Sequence, residues 1–152
     1  MREILFKGKR TDTKEWIIGI AFPHDNNKVT MLSQHPIDGS LVGKEVDPET
    51  VGQFTGLTDK NGKKIFEGDI LTSDCIPYTS EDGKKEYFAE VVWFFDNVPM
   101  PAFGVSMFKK HKPSVRDSGY LYNNESWEVI GNKYDNPELL GGTDNDDKQT
   151  SL

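Results

Sequence analysis

The sequence predicts a mostly-β protein, a barrel or sandwich of seven or eight short strands. Three observations carry this. No helix longer than about two turns is visible, because no window of about 11 residues carries an amphipathic 3.6-residue stripe. The apolar runs are short and rich in β-branched and aromatic residues, and Gly, Pro and Asn-rich turn signals separate them. The 152 residues include 9 Phe, 5 Tyr and 3 Trp. Each aromatic buries roughly 150–250 Å², so one domain, or two small lobes, has the material for a core.

The first strand opens at Ile4 to Phe6, and the polar stretch from Arg10 to Lys14 turns the chain. Glu15 to Phe22 is a second apolar run, ended by Pro23 and by Asp25-Asn26-Asn27. Lys28 to Leu32 is a third short strand, giving a β-meander. Residues 33–46 hold Pro36, Gly39 and Gly43 and read as loop with short extended pieces. Asp47-Pro48-Glu49-Thr50-Val51-Gly52 then predicts one helical turn, with Asp47 as cap, Pro48 first in the turn and Gly52 as stop.

Asp59-Lys60-Asn61-Gly62-Lys63 is a hairpin signal, since Asn61 and Gly62 suit the positive φ angles of a type I′ turn. Ile65-Phe66 and Ile70-Leu71 flank Gly68 and Asp69, a strand with a bend or bulge at the glycine. Residues 73–86 are polar and turn-rich. Tyr87 to Phe95 is the longest apolar run, interrupted by Glu90, and reads as a central strand covered on both faces. After a turn at 97–101, Phe103, Val105 and Met107 alternate with Gly104 and Ser106, as in a strand with one buried face. Lys109 to Gly119 reads as a basic loop. Trp127 to Asn132 is a last strand, and Asn136-Pro137 repeats the capped-turn device. Thr143 to Leu152 is polar and acidic and is expected to be disordered.

Particular residues carry a resemblance. Val46–Leu57 (VDPETVGQFTGL) runs into Asp59–Leu71 (DKNGKKIFEGDIL). The pair resembles the signature of the YopX family of phage and prophage proteins. Phe6–Arg10 (FKGKR), with Trp16 and Gly19, is similar to the family's first segment. Trp127–Asn132 and Tyr134–Leu140 are similar to its last. The resemblance spans about residues 1–140, and residues 73–126 follow no family pattern beyond the apolar strand. It implies an SH3-like β-barrel and brings no catalytic residue, cofactor or substrate. The expected organisation is an N-terminal β-rich segment at 1–52, an SH3-like barrel region at 53–140 and an acidic tail at 141–152. Gly68-Asp69 before Ile70-Leu71 suits a sharp strand entry into such a barrel.

His24, His35 and His111 lie far apart and no C-x-x-C occurs, so no zinc pattern is present. Asp59-Lys60-Asn61-Gly62 resembles the start of a calcium loop but lacks its later glycine and distal glutamate. The glycines form no phosphate-binding motif. Cys75 stands alone, without a motif that supplies a base, and one cysteine allows no internal disulfide. Glu67 and Asp69 share a face on a regular strand, where a turn role for Asp69 competes with acid/base work.

These readings predict a non-enzymatic protein without cofactor or metal. No signal segment and no run of roughly 20 apolar residues is present, so the expectation is a cytoplasmic protein of the bacterial host, off the membrane. The leading function is a phage or prophage accessory role through protein–protein contact, including a possible homo-oligomer. The alternative is a nucleic-acid-binding module. Lys109, Lys110, Lys112 and Arg116 supply cations for phosphates, and Phe108, Tyr120 and Tyr122 supply rings for bases. A net charge of −7 weighs against strong polyanion binding. Asn61, Gly62, Gly68 and Asp69 are expected to be structural turn residues.

Overall fold

The structure is a computed structural model that describes residues 3–73, 87–94, 102–109, 112–121 and 126–140. Cys75, His111, Lys110, Phe95, the turn at 97–101 and the acidic tail lie outside the described residues. So do the side chains of Trp93, Lys109, Lys112 and Arg116.

Eleven strands follow in order: β1 (Phe6–Lys9), β2 (Trp16–Pro23), β3 (Val29–Gln34), β4 (Leu41–Val46), β5 (Gly52–Thr58), β6 (Lys64–Phe66), β7 (Asp69–Ser73), β8 (Tyr87–Phe94), β9 (Ala102–Lys109), β10 (Lys112–Tyr120) and β11 (Trp127–Asn132). Two 3-10 turns, Pro48–Thr50 and Pro137–Leu140, are the helical elements among the described residues. The protein is therefore mostly β. It forms a six-stranded sheet ordered β4-β3-β2-β1-β5-β6 and a five-stranded sheet ordered β10-β9-β8-β7-β11. The strand pairs whose register is resolved are antiparallel.

The chain clusters into two compact units, 1–57 with 64–67, and 58–63 with 68–152. The expected segments, 1–52 and 53–140, differ from these units at β5 and β6, which pair into the first sheet. In both sheets four consecutive strands form a meander and a later strand returns to pair with the first: β5 on β1, β11 on β7. Neither sheet closes into a continuous barrel among the described residues. An isolated bridge between Arg10 and Val46 links the ends of the meander in the first unit.

Two expected loops are strands. Residues 41–46 pair with β3 along their whole length, from Gln34↔Leu41 to Val29↔Val46. Local glycine and proline content hid this strand, because pairing with a neighbour overrides intrinsic propensity. The basic stretch from Lys112 is likewise strand β10, paired with β9, with an irregularity between Lys112 and Arg116. The turn at Asp47 forms as expected: its carboxylate accepts from Glu49 N at 3.0 Å. It ends at Val51, and Gly52 begins β5 instead of serving as the stop.

In the first unit one face of β1–β4 packs inward on Met31 and Val46, both fully buried. Gly8 leaves the room they fill: a Cβ there would stand 3.0 Å from Val46 and 3.1 Å from Met31. In the second unit Leu71, Ala89, Val91, Val105 and Trp127 are buried. On the opposite face Ile70 and Phe88 are covered by Ile130, Leu139 and Leu140 from the end of β11 and the second 3-10 turn. The strand at 87–94 is thus covered on both faces where its side chains are described, as its composition predicts.

Candidate interaction surface

The 59–63 turn and β7 anchor the second unit. Asp59 is 6% exposed. Its Oδ1 accepts from the backbone N–H of Asn61 and of Lys63, both at 2.9 Å. Its Oδ2 accepts from Val129 N in β11 at 3.0 Å. Burial pushes the Asp59 carboxyl up. The three backbone donors and the Lys63 charge outweigh it, so the pKa lies below the ordinary carboxylate value. Lys60 N donates to Trp127 O at 2.8 Å, and Lys60 Nζ sits 3.1 Å from Glu128. The sequence marked this turn but not the buried carboxylate. The available signal was an Asp opening an Asn-Gly turn, a position that commonly bonds its own loop.

Gly62 and Asn61 differ in their backbone. Gly62 has φ +79 while Asn61 is not in the positive-φ region. Gly62 N bonds Asp59 O at 3.0 Å, and Asp59 N bonds Lys63 O at 2.8 Å. That is a type I turn followed by a left-handed glycine, one step longer than type I′. Gly68 has φ +89, which breaks strand alternation between Glu67 and Asp69. Glu67 and Asp69 are therefore not neighbours on one regular strand, and Asp69 is buried at the start of β7 opposite Asn132. Register puts Lys109 opposite Lys112 and Phe108 opposite Arg116 in the β9–β10 hairpin.

The two described histidines, His24 and His35, serve local turns. His24 Nε2 is 2.8 Å from Thr30 Oγ1. His35 Nδ1 accepts from Ile37 N at 3.3 Å. Among the described residues no three His, Cys, Asp or Glu side chains gather as metal ligands, and no helix is long and apolar enough to cross a membrane.

The most distinctive surface lies on the first unit. Alternation places Trp16, Ile18, Ile20 and Phe22 on one face of β2. Ile18 is 48% exposed, Ile20 53% and Phe22 46%. Ile20 pairs with Leu32 and Phe22 with Thr30 across to β3. Leu32 pairs with Gly43, Thr30 with Glu45 and Gln34 with Leu41 across to β4. Directly opposed residues share a face, so Leu41, 70% exposed, extends the same surface. Leu32 and Thr30 lean over Gly43, each within 3.2 Å of the place a Cβ would take.

Lys9 edges this surface at the Trp16 end, and Lys7 beside it is buried. Lys9 and Lys7 pair with Trp16 and Ile18. Lys7 Nζ lies 4.9 Å from the Trp16 ring centre and 5.3 Å from that of Phe66, and Lys9 Nζ 5.8 Å from Trp16. Lys64 Nζ covers Phe54 at 4.7 Å and pairs with Glu3 at 3.0 Å. Such contacts hold aliphatic stems against rings and fix the ammonium groups in place. The arrangement is suited to binding through apolar area with a charged edge and offers no nucleophile–base pair. Reading 15–22 as one apolar run missed that every second side chain faces solvent.

A sequence model described as YopX protein matches residues 5–141. No curated protein matches the chain. Among solved structures, the crystal structure of protein EF1440 from Enterococcus faecalis is similar, with a TM-score of 0.51 and 23% identity. The match covers 92% of this chain and 99% of that one. At this identity the likeness is one of fold.

Proposed function

The chain belongs to the YopX family, and from that membership we propose that it is a non-enzymatic phage or prophage accessory protein acting through protein–protein contact. The observation that carries the reading is the outer face of β2, where Ile18, Ile20 and Phe22 each stand about half exposed in alternate positions. Single exposed apolar residues need no explanation, but a contiguous row marks an interaction site. The shared strand order of the two sheets supports reading each as an SH3-like unit, with the 3-10 turn before β5 and the Arg10–Val46 bridge as further support in the first. Such small barrels serve many tasks, so the surface, not the fold, argues the function.

The test is site-specific photo-crosslinking in the host cell. A photoreactive residue in place of Ile20 yields discrete adducts, and one at Thr13, in an exposed turn, yields none. A blank at position 20 overturns the reading.

A second reading, single-stranded nucleic-acid binding on the β9–β10 hairpin, draws on the register that sets Lys109 opposite Lys112. The salt dependence of oligonucleotide binding tests it.

A further inference from the structure

We propose that the outer face of β2, β3 and β4 pairs with the same face of a second copy of this chain, in a two-fold stack of sheets whose strands cross. This rests on the reading of that face as a contact surface and names its occupant.

Size comes first. Ile18, Ile20, Phe22 and Leu41 together present on the order of 400 Å² of apolar surface. Stacked on its own copy, with the polar rim included, such a face buries about 1,000 Å² in total, in the range of weak, reversible complexes. Shape agrees: with Leu32 and Thr30 lying over Gly43 the β3–β4 part is low and even, as sheet-on-sheet packing requires.

Charge decides the orientation. The β2 strand from Trp16 to Pro23 contains no charged residue. The first unit carries eight Lys and Arg against nine Asp and Glu, the second ten against sixteen. Self-repulsion therefore arises in the second unit, and two first units meet with little opposition. The face has a cationic end at Lys9, beside Trp16, and an end at Phe22 where Glu45, paired with Lys28, lies in the same row. A two-fold axis lying in the interface and running diagonally across β2 at Ile20 lays Lys9, on the β1 side at one end, over Glu45, on the β4 side at the other. Glu45 is 47% exposed on its side chain and pairs with Lys28 at 3.2 Å, which leaves part of its carboxylate open to a second cation.

The experiment is sedimentation equilibrium of the full chain from about 1 µM to about 1 mM, spanning the affinities such an area gives. The wild type shows a concentration-dependent monomer–dimer equilibrium. Ile20→Glu and Phe22→Glu each weaken it at least tenfold with an unchanged melting temperature, and Ile20→Val leaves it within twofold. Lys9→Glu weakens it severalfold, and adding Glu45→Lys restores it. A wild type that stays monomeric to the top of the range overturns the proposal, as does a dimer indifferent to Ile20→Glu. Crosslinks from position 20 keep the two readings apart. An adduct of twice the chain mass supports the second copy. Adducts of other masses only, with a monomeric purified chain, overturn the second copy and retain the contact surface. No adduct overturns both.

Discussion

The Asp59 carboxylate and the backbone N–H of Val129 meet at 3.0 Å across 70 residues of chain. The same carboxylate closes its own turn through Asn61 and Lys63. One buried charge therefore fixes both the shape of the turn and its place on β11. Asp59 lies in the 46–71 motif that carries the family resemblance, and this bond gives that motif a structural reason for its Asp.

Replacing this carboxylate tests the anchor. Asp59→Asn keeps the size but presents an amide NH₂ to backbone donors on one side. The expected loss is about 2–3 kcal/mol, the scale of hydrogen bonds to a buried charge. Asp12→Asn, at an exposed turn, is the control and changes stability far less. Urea unfolding of the three proteins measures both effects. A variant at position 59 as stable as wild type refutes the anchoring role.

Acid sensitivity follows from the same group. The folded Asp59 pKa is lowered, so the folded state binds fewer protons than the unfolded chain, whose carboxyl titrates near about 3.9. Its stabilisation is complete above that value and disappears as pH falls through the lower folded pKa. Asp12, lowered to about 2 by Arg10, acts in the same direction, but it is exposed and solvent screens it. Unfolding midpoints measured from pH 6 to about 2 should fall in wild type below about pH 4. The fall is shallower in Asp59→Asn. Identical profiles would show that Asp59 titrates normally.

Gly62 tests the turn. A Cβ there meets nothing within 4 Å, so any cost comes from its φ of +79 alone. Gly62→Val loses about 1–2 kcal/mol through a strained left-handed backbone. Gly62→Asn loses less, because Asn tolerates that region. Gly68 combines a φ of +89 with a Cβ site 3.1 Å from Tyr134, so Gly68→Ala loses more than Gly62→Ala. Thermal melts rank the variants, and equal melting temperatures for Gly62→Val and wild type contradict the assignment.

For nucleic acid the expected result is weak binding. Four cations make few phosphate contacts on a chain of net charge −7. Single-stranded oligonucleotides should bind no tighter than the non-specific range of about 10⁻⁴–10⁻⁶ M at physiological salt. Changing Lys109, Lys110 and Lys112 together to Glu should leave contact-dependent function intact. Nanomolar binding abolished by that triple change would move the functional site to the β9–β10 hairpin.

Sequence alone determined the β class, the capped turn at Asp47, the left-handed glycine at 62, the bend at Gly68, and the buried strand at 87–94. Each is a local property: ring and β-branched content, a missing Cβ, a fixed proline φ. The family was legible in the motif at 46–71. Tertiary structure decided what depends on partners far away in the chain. Residues 41–46 and 112–120 became strands because β3 and β9 offered unpaired backbone groups, which outweighs weak local propensity. It was pairing, again, that drew β5 onto β1 and β11 onto β7, giving the two sheets one strand order. Asp59 became an anchor only where β11 brought Val129 to it. The solvent face of β2 emerged in the same way. Composition shows an apolar run, but which alternate side chains stay exposed is fixed by what covers the other face, and that is Met31 and Val46.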